Sequence, residues 1–171
     1  MTSTEFDTPT TAIDDITGDY AIDVSHSRLG FTARHAMVTK VRGQFGTFEG
    51  TAHVDTANPS ASSVQLTIDP ASISTGSPDR DGHLRSPDFF DAEQFPQWTF
   101  RSTDVTRPVS IDFEQTGSAV DPFGNTRVGF EGDLTVNRKD WGLTWNAALE
   151  TGGFLVSDKI KLEFDISAIQ K

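Results

Sequence analysis

Apolar residues recur at every second position along most of this chain, the period of a strand with one buried face. Leu29, Phe31 and Ala33 fall on one side of such a row, and Arg28, Thr32 and Arg34 on the other. Phe48, Ala52 and Val54 alternate with Thr47, Glu49, Thr51 and His53. Similar rows follow at Val64, Leu66 and Ile68, at Val109, Ile111 and Phe113, and at Val128, Phe130, Leu134 and Val136. Two more run through Leu143, Trp145, Ala147 and Leu149, and through Ile160, Leu162, Phe164 and Ile166. Helical spacing competes poorly in each window. Turn signals at Asn58-Pro59, Asp121 to Asn125 and Gly152-Gly153 separate the rows. Many alternating strands joined by short turns predict an all-β antiparallel barrel or sandwich. A parallel α/β fold would need crossover helices, and no segment supplies them.

One stretch breaks the alternation. Residues 76–96 contain two Ser-Pro pairs, Ser77-Pro78 and Ser86-Pro87, each followed by acidic residues. Ser at the N-cap and Pro at the first helical position open helices. The spacing predicts two short helical turns over about residues 77–95, carrying Leu84, Phe89, Phe90 and Phe95. A long connection with structure of its own is often a lid or a binding loop.

Composition narrows the field. The 171 residues hold 14 Lys and Arg against 25 Asp and Glu, a formal charge of -11. Such a balance argues against a nucleic-acid partner, since few cations are present to displace counterions. Six of the acids fall within the first 27 residues, which carry no Lys or Arg, so the remainder carries only -5. Residues 1–17 are rich in Thr and Asp and read as a flexible acidic tail, leaving residues 18–171 as the folded domain. Leu, Ile, Val and Phe make up 24% of the chain, a thin apolar allowance of which Phe supplies 13 residues. There is no Cys, which excludes disulfides, thiol nucleophiles and thiolate metal sites. No apolar run is long enough to span a bilayer as a helix. Arg28 is the first basic residue and no apolar block precedes it, so no secretory signal is expected and a cytoplasmic location is.

Few constellations point to chemistry. His26, His35, His53 and His83 form no paired ligand set, and no metal or cofactor is expected. His53 sits on a polar face and belongs in solvent, whereas His35 shares the apolar face of Phe31. Asp23, His26 and Ser27 lie within five positions, a spacing that suits an Asx turn better than a catalytic triad. Arg80, Asp81, His83, Arg85, Asp88 and Asp91 crowd the helical connection. Their plain reading is a paired network pinning that segment. The sharper one is a polar collar of His35, Arg80, His83 and Arg85 at a cavity mouth, able to meet an anionic head group. No residue is assigned a catalytic role.

Phe31-Thr32-Ala33-Arg34-His35 and Arg80-Asp81-Gly82-His83-Leu84-Arg85 belong to a set of motifs that together resemble the YceI-like polyisoprenoid-binding family. They include Asp23-Val24-Ser25-His26-Ser27, Phe31-Thr32-Ala33-Arg34-His35 and Val41-Arg42-Gly43-Gln44-Phe45. The most specific is Arg80-Asp81-Gly82-His83-Leu84-Arg85-Ser86-Pro87-Asp88-Phe89-Phe90-Asp91. Arg138-Lys139-Asp140-Trp141-Gly142-Leu143-Thr144-Trp145-Asn146 continues the match, which runs in order from about Gly18 to Ile169. The resemblance implies a lipocalin-like antiparallel β-barrel whose apolar pore holds a polyisoprenoid or fatty-acid-like lipid, without catalytic residues. The chain departs from the family after Ser102-Thr103. Asp104-Val105 runs straight into Thr106-Arg107-Pro108-Val109, so about one family strand is missing near residues 105–106. Edges left by that loss would favour a homodimer.

The leading expectation is therefore lipid binding, for sequestration, transport or storage. The inward faces would supply Leu29, Phe31, Phe45, Phe48, Phe100, Phe113, Phe130, Trp145 and Phe164, with Phe89 and Phe90 at the lid. Two alternatives stand beside it. One is an enzyme acting on a hydrophobic molecule through His26, His35 or His83 with Asp23 or Asp81. The other is an interaction module with a solid interior.

Overall fold

A computed structural model describes residues 15–36, 39–102, 111–150 and 152–171. Its strands are β1 (Gly18–Ile22), β2 (Arg28–His35), β3 (Thr39–Phe45), β4 (Phe48–Val54), β5 (Ser63–Ile68), β6 (Ile73–Ser74), β7 (Trp98–Arg101), β8 (Phe113–Val120), β9 (Thr126–Asn137) and β10 (Lys159–Gln170). Among the described residues a single α-helix, α1 (Pro78–Arg85), interrupts them. All pairings are antiparallel, and the strands join one sheet.

Several short strands are halves of long bent ones. β1 and β2 lie end to end along the same edge of β10, parted by a 3-10 turn at Val24–His26. The Asp23 carboxylate caps that turn by accepting from the Ser25 amide, as an Asx turn should. β3 and β4 are parted only by Gly46 and Thr47 and pair with β2 and β1 in turn. β5 and β6 flank a turn capped by Asp69 and pair with β4 and β3. The result is an up-and-down meander: β8, β9, β10, the β1–β2 strand, the β3–β4 strand, the β5–β6 strand, and β7.

Among the described residues the meander does not close. Successive antiparallel pairings make β7 and β8 run in the same sense, and these two do not pair. The strand expected to be missing near residues 105–106 falls in 103–110, outside the described residues, as does Val109. Most of the expected tail, residues 1–14, lies outside them too. Of residues 15–17, Ile16 is buried, its carbonyl accepting a hydrogen bond from the Tyr20 hydroxyl at 2.7 Å, and the exposed Asp15 and Thr17 hydrogen-bond Thr56.

Two apolar clusters fill the interior. Ile16, Tyr20, Val128 and Ala168 form one, with Ala52, Val54 and Phe130 against it. Leu29, Phe48 and Leu66 form the other, with Ile22, Ile68, Phe164 and Ile166 against it. Apart from Ile16, the inward rows of β1, β2, β4, β5, β9 and β10 supply both. Gly50 permits this closeness, because a Cβ there would come within 2.7 Å of the Gln65 carbonyl on β5.

Two expected elements are absent. The alternation from Leu143 to Leu149 yields no strand, only an isolated bridge between Ala148 and Phe154. Side chains take up the backbone groups that a ladder would have used. Arg138 donates to the carbonyls of Leu143 and Trp145, and Asn146 exchanges hydrogen bonds with both backbone groups of Val156. The second Ser-Pro pair opens turns rather than a helix, with Phe89 and Asp91 both donating to the Ser86 carbonyl and Asp91 at φ 44°.

One charged pin crosses the sheet. Arg127 on β9 donates to Asp23 beside the β1–β2 kink and to Asp121 in the β8–β9 turn. Arg127 and then Ser25 hold the Asp23 carboxyl well below the usual carboxylate range, and Asn125 and then Arg127 do the same for Asp121. Both carboxyls therefore bind protons less readily folded than unfolded. Their stabilisation is full above the unfolded value near 3.8 and is lost as pH falls toward the lower folded values. Arg127→Met should thus destabilise most at pH 6–7, with the penalty shrinking below about pH 4. Urea unfolding at pH 7 and pH 3 measures this. An equal penalty at both would contradict it.

Candidate functional site

The inward face of β2 explains where space opens. Ala33 pairs with Val41 across β2 and β3, and both are small for an inward position. One step deeper Phe31 pairs with Gly43, and the ring lies so close that a Cβ on Gly43 would come within 2.5 Å of it. Above the Ala33–Val41 pair is a pocket of about 410 Å³, of the size that holds small ligands. Phe31, Ala33, His35 and Val41 contribute from the sheet. Ser77, Asp79, Arg80, His83, Leu84 and Phe89 contribute from α1 and its flanks. Trp145, Leu155 and Val156 reach in from the connection between β9 and β10. The exposed lining is mainly apolar.

Sequence features fix the helix over this pocket. Pro78 starts α1, Asp79 and Asp81 occupy its first turn, and His83 and Arg85 its last, the arrangement that suits the helix dipole. Asp81 is buried and accepts from the amide and hydroxyl of Thr75 at 2.9 and 2.6 Å. Arg80 donates to the hydroxyl and carbonyl of the same Thr75 at 2.7 and 2.9 Å. The Arg85 guanidinium turns to the carbonyls of Ala71 and Ile73. Arg80 holds Thr75 and also lines the pocket, whereas Arg85 does not line it.

The opposite wall is a strap, residues 138–150 and 152–158, held by Arg138. This side chain is only 3% exposed and donates to the carbonyls of Ser157, Leu143 and Trp145. Strap and helix meet through aromatic rings. His83 stands edge-on to Trp145 with centroids 4.7 Å apart and to Phe89 at 5.1 Å, and Phe89 lies 5.2 Å from Trp145. The His83 Nε2 lies 2.9 Å from Asp88 Oδ2, which fixes the orientation of the ring.

The expected lining residues divide. Phe31, Phe89 and Trp145 line the pocket, as do His35, Arg80 and His83 of the expected collar. Leu29 and Phe48 are instead in the packed interior, with Phe164 against them and Phe130 against the other cluster. Phe45 and Phe90 stack around Trp98, at 5.5 and 4.8 Å. Phe100 and Phe113 lie on β7 and β8 and are partly exposed, Phe113 packing on Phe164 at 5.8 Å. Ala33, Val41, Leu84, Leu155, Val156 and the inward Trp98 were not foreseen. Small inward residues at Ala33 and Val41 were the available signal, since a gap in side-chain volume marks a cavity as well as large apolar residues do.

Asp23 and His26 lie at the β1–β2 kink and do not line the pocket. A larger hollow, about 560 Å³, lies on the outer face and is polar, with Glu114, Glu131 and Asp165 in one cross-strand row beside Arg28. No group of three or more His, Asp or Glu among the described residues could hold a metal ion.

A YceI-like domain model matches residues 20–168, nearly the whole described domain. The chain belongs to the YceI-like family. A UPF0312 protein of Vibrio cholerae is 31% identical to it, over 90% of this chain and 88% of the relative. The crystal structure of Burkholderia cenocepacia BcnA superposes with a TM-score of 0.66 at 22% identity, covering 85% of this chain and 98% of BcnA. A polyisoprenoid binding domain from Saccharophagus degradans superposes with a TM-score of 0.59 at 18% identity, covering 89% and 98%. These structures establish the shared lipocalin-like barrel architecture. Within that YceI-like architecture, β7 and β8 do not pair among the described residues.

Proposed function

We propose that this protein binds the apolar chain of an isoprenoid or similar lipid in the pocket between α1, the strap and the inner face of β2. Sequestration, transport or storage of that lipid is the role this suits. The observation that carries the reading is the pocket's construction, with aromatic and aliphatic side chains converging where the inward row turns small at Ala33 and Val41. The similar domain from Saccharophagus degradans, named as polyisoprenoid binding, supports the same class of ligand. Each methylene removed from water contributes about 0.8 kcal/mol, so ten carbons contribute about 8 kcal/mol before the entropic cost of association is counted. Arg80 in the pocket lining suits a polar or anionic head group.

A second, catalytic reading rests on one observation, the His83–Asp88 pair at the pocket wall. It requires turnover of a hydrophobic ester that His83→Gln abolishes.

Solvent extraction of the purified protein followed by mass spectrometry tests the binding proposal. A lipid chain recovered in near-stoichiometric amount supports it. An empty protein that also fails to take up supplied farnesol sinks it.

A further inference from the structure

The pocket stops at a definite level. Beneath it Phe31 is 9% exposed and its ring lies against Gly43. Phe31 also faces Phe45, with centroids 6.4 Å apart, and Phe45 continues to Phe90 at 6.1 Å and Trp98 at 5.5 Å. Below this aromatic layer the interior is occupied by the protein itself, with Leu29, Phe48 and Leu66 at 2, 7 and 7% exposure. At native packing density a chain cannot thread such an interior without displacing side chains.

We infer that Phe31 is the floor that limits ligand length, so the pocket takes a short chain of about fifteen carbons and not a long polyisoprenoid. The volume gives the scale. A cavity of about 150 Å³ holds a six-carbon ring, and 410 Å³ at the same density holds roughly sixteen carbons. The inference rests on the proposed lipid binding and specifies its ligand. Gly43 is part of the device, because a Cβ there would come within 2.5 Å of the Phe31 ring and push it aside. Removing the ring opens a path toward Phe45 and Leu29, the next inward pair down the same two strands.

A ladder of prenols delivered from cyclodextrin tests this: geraniol (ten carbons), farnesol (fifteen), geranylgeraniol (twenty) and solanesol (forty-five). Calorimetry on the wild-type protein should show at least tenfold tighter binding from geraniol to farnesol and less than twofold further gain beyond it. Phe31→Ala should bind geranylgeraniol at least tenfold more tightly than farnesol, and Phe31→Val, which leaves a smaller void, should move the same way. Wild-type affinity that keeps rising through solanesol would overturn the length limit while leaving lipid binding intact. Variants that fold and keep the wild-type plateau would remove Phe31 as its cause. No binding of any prenol would overturn both the limit and the proposed function.

Discussion

Replacing Arg138 with Met is expected to lower stability by about 3 kcal/mol and to loosen the strap wall of the pocket. Met keeps much of the apolar volume but donates nothing. Arg138 is almost wholly buried and supplies the carbonyls of Ser157, Leu143 and Trp145. Its nearest acid is Asp158, at 3.5 Å and also held by Lys139 at 2.9 Å. The guanidinium therefore acts mainly as a fixed set of donors that replaces a strand ladder. Each buried acceptor left without a donor costs about 1–3 kcal/mol. For a domain of this size the loss amounts to a fall in melting temperature of roughly 10 °C. Thermal unfolding followed by circular dichroism measures it, and a fall under about 2 °C would show that the strap does not depend on Arg138.

Trp145→Ala should weaken farnesol binding tenfold to fiftyfold with a much smaller change in melting temperature. Trp145 is the strap's largest contribution to the pocket and the only strap ring in contact with His83 and Phe89 among the described residues. Truncating it removes apolar surface that a bound chain would cover, worth about 1.4–2.3 kcal/mol, which converts to that range of affinity. Two rings of the helical side also lose their partner. Calorimetric titration of both proteins reads the ratio directly. Equal affinities would place the ligand elsewhere.

The alternation of apolar residues made the strands legible because one buried face is a local requirement, repeated every second residue. Leu29, Phe48 and Phe164 were correctly inward, yet inward did not mean pocket-lining. Whether an inward ring fills the interior or faces a cavity depends on its cross-strand partner. Phe31 against Gly43 and Ala33 against Val41 are neighbours only once register is known. The strap misled for a related reason. Leu143, Trp145, Ala147 and Leu149 alternate as a strand would, but Arg138 competes for their carbonyls from outside that window. The collar was partly legible. Arg80 and Arg85 share one helix, and only the structure separates the one lining the pocket from the one turned to Ala71 and Ile73.

Extraction and mass spectrometry of the wild-type protein beside Ala33→Phe tests lipid binding in this pocket most directly. Ala33 sits where the inward row turns small and belongs to neither apolar cluster, so the six carbons of a phenyl ring there cut the room from roughly sixteen carbons to about ten. The account predicts close to one lipid chain per wild-type molecule and less than a tenth of that in Ala33→Phe, with both proteins equally folded. Equal lipid in the two proteins, or none in the wild type even after incubation with farnesol, would contradict it.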